Sequence, residues 1–331
     1  MRRREVVPTR ATLTELRREV GVAIPAGTAL WGDPGRLEQD LVTVVELGAT
    51  WVRTDFAWTQ LSWAEGQIDY TPLDAFVDAA RRHSLDILGV LGTLPAWLRS
   101  PDSSWRTGAS SPRQMQGFAE FAAATAARYL GRVSAWEVWN EPNVRQSWGP
   151  IPSSQDYGRL LRLTVPAIRQ VAPSSIIIAG GTGGAVASGV DIEPRTWLRA
   201  LLSGALSDVD ALAVHPYSDL VRGAAGEMGV AKDILGDIRS SARPGLSLWA
   251  TEVGAPTGGE NSVTPGDAGR LVRESLTAWR AMGPPGPFFY YTLRDSPGTD
   301  RESKFGLLDV GGAPKPAAVE LQQTIRGGSA Q

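Results

Sequence analysis

The sequence predicts an α/β protein built as a single (β/α)8 TIM barrel, and two observations carry this prediction. Short apolar runs rich in β-branched and aromatic residues alternate with longer amphipathic stretches, and strands that alternate with helices form parallel sheets. Eight strand–helix units fit into 331 residues, a length that α/β barrels commonly use for one domain.

Each predicted strand is a short apolar run that ends in polar residues, glycine or proline, as strands buried in a parallel sheet do. In chain order the predicted strands cover 20–27, 50–56, 85–92, 133–140, 175–181, 210–217, 246–254 and 287–292. Between them apolar residues recur at helical spacing, as in 33–48, where Pro34 lies in the first turn and Gly48 ends the pattern. Further helices are predicted at 69–84, 112–130, 153–171, 193–203, 228–241, 265–282 and 314–326.

An open doubly wound sheet is the alternative architecture. GGTGGA (180–185) loosely resembles a phosphate-binding loop, but no acidic residue follows at a strand end about 20 positions later, as in dinucleotide-binding sheets. We interpret this segment as a flexible loop after the fifth strand. No linker separates two cores, so we predict an N-terminal extension (1–19), one barrel domain (20–326) and a frayed tail (327–331).

Composition excludes several classes of function. The chain has 33 Lys and Arg against 35 Asp and Glu, a balance that argues against nucleic-acid binding. It has no cysteine, which excludes disulfides, thiol catalysis and cysteine-ligated metals. With only His83 and His215, a histidine-rich metal site is excluded too. We therefore expect no metal and no organic cofactor.

The sequence also bears on location and assembly. No segment reaches the roughly 18 apolar residues of a membrane span, so we expect no membrane partner. The basic start MRRR lacks the apolar run of about 7–15 residues that follows in a signal peptide. At face value this predicts a cytoplasmic protein, whereas a trimmed N-terminus would fit secretion. We expect a monomer.

In a (β/α)8 barrel the chemistry lies at the C-terminal ends of the strands. Among the residues that fall there, the candidate site residues are Arg53, Asn140, Glu141, His215, Tyr217, Glu252, Tyr290, Tyr291 and Asp295. Arg53 should point into the barrel if Val52 and Thr54 point out. Glu141 and Glu252 close strands four and seven, whose ends face one another across an eight-stranded barrel.

A facing pair of carboxyls suits the cleavage of a glycosidic bond. One carboxyl must be protonated to donate to the leaving oxygen, and the other must be ionised. We expect Arg53, His215 and Tyr217 to hold Glu252 as the anion. Glu141 follows Trp136 and Trp139 and precedes Trp148, and burial among these rings would favour its protonated form. The structural alternatives are that each glutamate is a salt-bridge partner and that His215 packs in the core.

Two motifs carry a family resemblance. WEVWNEPN (136–143) resembles the strand-four motif of the clan A glycoside hydrolases. The resemblance implies that Asn140 binds a sugar 2-hydroxyl and that Glu141 is the general acid/base. WATEVGAPT (249–257) resembles the strand-seven motif of the same clan, which implies that Glu252 is the nucleophile and that the mechanism is retaining.

The resemblance extends over nearly the whole chain. AVHPYS (213–218) is similar to the strand-six segment of the clan, with His215 and Tyr217, and Arg53 is similar to its strand-two arginine. FGLLDVGGAPKPAAVEL (305–321) resembles the end of family 39-like and family 5-like members. The implied activity is therefore that of a glycosidase with a carbohydrate substrate.

Other candidate substrate contacts are aromatic. Many clan members stack the sugar on a strand-eight tryptophan, in whose place this chain offers Tyr290 or Tyr291. Trp58, Trp97 and Trp148 lie in loops near the barrel mouth and either pack or bind further sugars. Asp295 is either a sugar ligand or a brace for its loop.

These observations lead to one hypothesis and two alternatives. The hypothesis is a retaining glycoside hydrolase that cleaves O-glycosidic bonds, of β configuration, in an oligo- or polysaccharide through a glycosyl-enzyme. One alternative is a carbohydrate-binding barrel without turnover. The other is a transglycosylase that uses the same intermediate.

Overall fold

Eight parallel strands close into a barrel in chain order, from β1 next to β2 through to β8 next to β1. The computed structural model describes residues 19–100, 107–184, 189–206, 208–217, 223–243, 245–283 and 286–328. A helix follows each strand and packs outside the barrel. The predicted single (β/α)8 barrel is therefore confirmed.

The strands are β1 (Val20–Ala23), β2 (Trp51–Ala57), β3 (Asp86–Gly92), β4 (Ala135–Val138), β5 (Ile176–Thr182), β6 (Ala211–Val214), β7 (Ser247–Val253) and β8 (Phe288–Tyr290). The helices that follow them are α1 (Pro34–Glu46), α2 (Thr71–Arg82), α3 (Pro112–Arg128), α4 (Ser154–Val171), α5 (Pro194–Ala200), α6 (Gly223–Ser240), α7 (Pro265–Ala281) and α8 (Pro316–Gly328). Within the described residues, no helix is both long and apolar enough to cross a membrane.

Several helices begin where the sequence provides a cap. Asp33 accepts the backbone N–H groups of Gly35 and Arg36 at the start of α1. Ser111 and Gln114 form a reciprocal capping box at the start of α3. Such side chains satisfy N–H groups that have no partner within the helix, which stabilises the first turn.

Several element boundaries differ from the prediction; β1, for example, ends at Ala23, four residues before the predicted 27. α6 begins at Gly223, five residues before the predicted 228, and α5 passes at Ala200 into a single π-helical turn (Leu201–Ala205). α8 continues to Gly328, two residues past the predicted end of the domain. Residues 1–18 of the predicted extension and 329–331 of the predicted tail lie outside the described residues.

Aromatic side chains fill the N-terminal end of the barrel interior. Trp51, Trp249 and Phe289 are fully buried there, with Trp51 edge-on to Trp249 at 5.6 Å between ring centroids. Because side chains alternate along a strand, the next inward residues are Arg53, above Trp51, and Tyr291, above Phe289. The packed apolar floor thus leaves polar side chains at the C-terminal end.

An irregularity in β7 changes which side chains face inward. Ala250 pairs with Phe288 and Val253 with Tyr290, so three steps along β7 oppose two along β8. Such a bulge re-aims the side chains beside it. As a result consecutive residues, Thr251 and then Glu252, both reach partners inside the barrel.

Candidate active site

A buried arginine connects three polar side chains at the C-terminal ends of the strands. Arg53 donates from Nε to Glu137 (2.9 Å), from Nη1 to Glu252 (2.6 Å) and from Nη2 to Asn140 Oδ1 (2.8 Å). A buried guanidinium is tolerated when carboxylates pair with it in this way. The inward orientation predicted for Arg53 is confirmed.

Glu137 is a buried carboxylate that the sequence analysis missed. Its Oε1 accepts the Gly181 backbone N–H (2.7 Å) and the Thr251 hydroxyl (3.0 Å), while Oε2 accepts Arg53. The strand prediction treats 133–140 as an apolar run. Strand alternation could have found it, because Glu137 lies two positions after the inward-facing Ala135.

Glu252 is surrounded by donors. Besides Arg53, the Tyr217 hydroxyl donates to its Oε2, and His215 Nδ1 lies 3.7 Å from the same oxygen. Burial favours the neutral carboxyl, but the charges of His215 and Arg53 and the hydrogen bonds from Tyr217 and Arg53 outweigh it and hold the pKa of Glu252 below its usual value. Glu252 is therefore an anion around neutral pH.

Glu141 lies opposite, at the end of β4, with 23% of its side chain exposed. Its Oε1 is 2.9 Å from His215 Nδ1. One carboxylate oxygen of Glu141, one of Glu252 and a ring nitrogen of His215 all lie within 4.8 Å of one another. The backbone at Trp139 (φ 70°) and Glu141 (φ 48°) is left-handed, which costs about 1–2 kcal/mol per non-glycine residue. Such strain is typical of functional positions.

The partners of His215 determine which ring nitrogen carries its proton. Thr251 donates to Glu137, so its oxygen is left to accept from His215 Nε2 at 3.1 Å. Nδ1 then either donates to an ionised Glu141 or accepts from a protonated one. Burial lowers the pKa of a histidine, but the charge of Glu252 and the hydrogen bond to Glu141 raise that of His215.

Two further residues of the mouth lie beside this cluster. Tyr291 packs edge-on against Tyr217, with 6.2 Å between the ring centroids. Burial and the charge of Glu252 raise the pKa of Tyr291. Asp55, which the sequence analysis did not select, has its pKa raised by burial, against the opposing charge of Arg53. The structure thus brings together seven of the predicted residues: Arg53, Asn140, Glu141, His215, Tyr217, Glu252 and Tyr291.

Three predicted substrate contacts are corrected. Tyr290 is 1% exposed and faces away from the mouth, because it alternates with the inward-facing Phe289. Trp148 is 2% exposed and packs against Trp139, with 4.9 Å between the ring centroids, so neither of its faces is open to a sugar. Asp295 accepts the Gly306 N–H and the Lys315 ammonium, and it braces its loop.

The tryptophans near Glu141 in sequence do not form its surroundings. Trp136 lies on the outward face of its strand and packs against Phe56, with 5.1 Å between the ring centroids. Among the described residues, the Glu141 carboxyl hydrogen-bonds to His215 and lies beside the backbone at Gly183. The expected burial of Glu141 among Trp136, Trp139 and Trp148 is therefore wrong.

Trp58 and Trp97 line a different feature. Their rings meet edge-on, with 5.6 Å between the ring centroids. They line a groove of about 460 Å³ whose other wall is α3. Trp58 is 4% exposed and stacks on Phe121, whereas Trp97 is partly exposed. Among the described residues, the partners of Glu141 and Glu252 named above do not line this groove.

The spacing of Glu141, His215 and Glu252 is also that of a possible metal site. In the structure these groups are already matched with one another. Arg53 neutralises Glu252, and His215 bonds to Glu141. A divalent cation would have to be placed beside the Arg53 guanidinium, which like charges disfavour.

Removing Arg53 should destabilise the fold. Arg53→Met leaves Glu137 and Glu252 buried without their cation, and we expect a loss of about 3–5 kcal/mol in the free energy of unfolding near pH 7. Because Arg53 holds the pKa of Glu252 down, the variant carboxyl titrates at higher pH, and the loss shrinks as the pH falls.

Urea unfolding of both proteins near pH 7 and near pH 5 measures this. Arg113→Met is the control, since Arg113 pairs with Glu65 where both side chains are largely exposed, and it should change stability by less than about 0.5 kcal/mol. An Arg53→Met protein as stable as the wild type would contradict the structural role of this arginine.

Comparisons with known proteins agree with this geometry. The sequence model of the family Cellulase (glycosyl hydrolase family 5) matches residues 15–275. A family 39 glycoside hydrolase from the gut symbiont Bacteroides cellulosilyticus has a TM-score of 0.75 at 21% identity, over 94% of this chain and 64% of that one. The chain thus spans about two thirds of that protein. A comparison with curated proteins gave no match.

Two further solved structures share the fold. GH5_18 from Streptomyces cattleya, in complex with GlcNAc, has a TM-score of 0.74 at 21% identity, over 94% of this chain and 80% of that one. An exo-β-1,4-mannosidase from an Opitutaceae bacterium has a TM-score of 0.70 at 18% identity, over 94% of this chain and 59% of that one. Because the family match extends over most of the sequence, this chain belongs to glycosyl hydrolase family 5.

Proposed function

We propose that this protein is a retaining β-glycosidase in which Glu252 is the nucleophile and Glu141 the general acid/base. The observation that carries the proposal is the placement of carboxylate oxygens of Glu141 and Glu252 within 4.8 Å of each other, in different environments. Retaining glycosidases keep their two carboxyls about 5–5.5 Å apart, whereas inverting ones need about 6.5–9.5 Å to admit a water. The spacing therefore favours direct attack on the sugar.

The first step forms a bond between Glu252 and the anomeric carbon. A Glu252 oxygen attacks that carbon while its bond to the glycosidic oxygen breaks, and the Glu141 proton moves to the leaving oxygen. Glu252 suits this role because Arg53 and Tyr217 hold it ionised. The departing alcohol is neutral, and the sugar remains as an ester of Glu252.

The second step releases the sugar. Glu141, now ionised, takes a proton from water as the water oxygen bonds to the anomeric carbon, and the ester bond to Glu252 breaks. His215 Nδ1 lies at hydrogen-bond distance from Glu141, so it can donate to Glu141 when ionised and accept from it when protonated. This contact fits a group that alternates between acid and base.

Asn140 is the proposed contact for the sugar 2-hydroxyl. Arg53 occupies its carbonyl oxygen, so the amide nitrogen is the group that would donate to the sugar. Tyr291 is the proposed stacking surface, in place of the strand-eight tryptophan of related enzymes. It stands beside Tyr217, which contacts the nucleophile.

The comparisons suggest the first substrates to test. One similar structure is an exo-β-1,4-mannosidase and another was solved with GlcNAc. We therefore propose β-linked, neutral pyranosides, and we would screen aryl β-mannosides, β-glucosides and β-N-acetylglucosaminides. Product analysis by NMR would show the configuration at the anomeric carbon, and added acceptor sugars would reveal transglycosylation.

Substitution of the two glutamates should have different consequences. Glu252→Ala removes the nucleophile, and we expect no turnover until azide is added, which should give a glycosyl azide of inverted configuration. Glu141→Gln removes the transferable proton, and we expect kcat/KM on an unactivated substrate to fall by about 10²- to 10⁴-fold.

Release of phenol from a phenyl β-glycoside, with and without azide, measures both effects. Glu274→Gln, an exposed position on α7, is the control. Full activity in either site variant would refute the assignment. A product of inverted configuration from the wild type would refute the retaining mechanism.

The pH profile should depend on His215. The charge of His215 lowers the pKa of Glu252, so His215→Asn should raise that pKa. The acid limb of the kcat/KM profile, which reports ionisation of the nucleophile in the free enzyme, then moves to higher pH.

The matched control is His83→Asn, since His83 contacts Glu38 at the surface, and its profile should coincide with that of the wild type. An acid limb that stays in place in His215→Asn would show that this histidine does not act on Glu252.

A further inference from the structure

We infer that Asn143 and Gly183 are positioning residues that together fix the Glu141 carboxyl in its working position. The inference rests on the proposed role of Glu141 as acid/base. It assigns a purpose to the glycine-rich segment 180–184, which sequence analysis interpreted as part of a flexible loop but whose first three residues lie buried in β5. Three sets of contacts join that segment to the end of β4.

The first contact holds the backbone of Glu141. Its N–H donates to the Gly181 carbonyl at 2.9 Å. Trp139 and Glu141 are in the left-handed conformation, which residues other than glycine rarely adopt. A conformation of this kind persists only when its surroundings hold it. Gly181, at the end of β5, supplies part of that support.

The second contact is made by the Asn143 side chain, which is fully buried. Its amide nitrogen donates to the carbonyls of Gly183 and Ile192, each at 2.8 Å, and its Oδ1 accepts the Gly183 N–H at 2.9 Å. Both amide hydrogens and the carbonyl oxygen are thus used. Asn143 joins the loop that carries Glu141 to the loop after β5.

The third contact is a close approach of the two segments that leaves no room for a Cβ unless Glu141 moves. A Cβ at Gly183 would lie 2.6 Å from Glu141 Oε1, and one at Gly180 would lie 2.4 Å from the Trp139 carbonyl oxygen. Real Cβ atoms do not approach other atoms so closely. The Glu141 carboxyl therefore rests directly on the Gly183 backbone, with His215 on another side.

The next glycine provides a matched control. Among the described residues, a Cβ at Gly184 meets nothing within 4 Å. Gly183→Ala and Gly184→Ala make the same chemical change at neighbouring positions, and only the first pushes against Glu141. A misplacement of about 1 Å can cost a catalytic group about 10²-fold, so the two variants should differ measurably.

The leaving group distinguishes a displaced acid from a damaged fold. Phenyl glycosides need a proton on the departing oxygen, whereas 2,4-dinitrophenyl glycosides leave without one. kcat/KM reports the steps up to the first bond cleavage and not the later attack of water. A displaced Glu141 should lower kcat/KM for the phenyl substrate selectively, whereas general loss of structure lowers both values together.

The experiment measures kcat/KM for both substrates with wild type, Glu141→Gln, Asn143→Ala, Gly183→Ala and Gly184→Ala, using the sugar that the wild type hydrolyses. For Asn143→Ala and Gly183→Ala we expect the ratio of phenyl to dinitrophenyl values to fall by at least about tenfold, in the direction of Glu141→Gln. Gly184→Ala should keep the wild-type ratio. If Asn143→Ala does not fold, Gly183→Ala carries the test.

Two results would overturn the inference. The first is an unchanged ratio in Gly183→Ala while Glu141→Gln shows the selective loss, which would refute the positioning role alone. The second is the absence of a selective loss in Glu141→Gln itself, or of wild-type hydrolysis of either substrate. That result would refute the proposed function and the inference with it.

Discussion

The Arg53 guanidinium is the charge on which the arrangement of the mouth depends. It is buried, and its three nitrogens bond to Glu137 and Asn140 at the end of β4 and to Glu252 at the end of β7. A buried cation of this kind is stable only while its carboxylates stay in place, and the carboxylates need it in turn. This mutual requirement fixes β2, β4 and β7 relative to one another at the barrel's polar end.

The same cluster places the two glutamates in unlike environments. Glu252 is buried and accepts from Arg53 and Tyr217, whereas Glu141 is partly exposed and pairs with His215. Two carboxyls of one chemistry can divide into anion and acid when their surroundings separate their proton affinities. His215 touches both, so its charge and tautomer connect the two sites, and Thr251 sets that tautomer through Glu137.

Periodicity predicted the fold and part of the site, and local backbone geometry explains the remainder. All eight strands lie where the apolar runs indicated, and alternation within β2 gave the direction of Arg53. The same rule, applied to β4 and β8, would have selected Glu137 and separated Tyr291 from Tyr290. It could not have placed Glu252, because the bulge in β7 turns that side chain inward against strict alternation. The loop tryptophans were unpredictable, since their packing depends on contacts distant in sequence.

The central claim is that Glu252 forms a covalent bond with the sugar while Glu141 assists from across the mouth. The most direct test is incubation with an activated 2-deoxy-2-fluoro β-glycoside of the preferred sugar, followed by mass spectrometry of the intact and peptic-digested protein. The account predicts a single added fluorosugar on the peptide that contains Glu252, formed slowly in Glu141→Gln unless the leaving group is dinitrophenyl. An adduct on a different residue, or rapid hydrolysis of ordinary substrates with inverted products and no adduct, would contradict it.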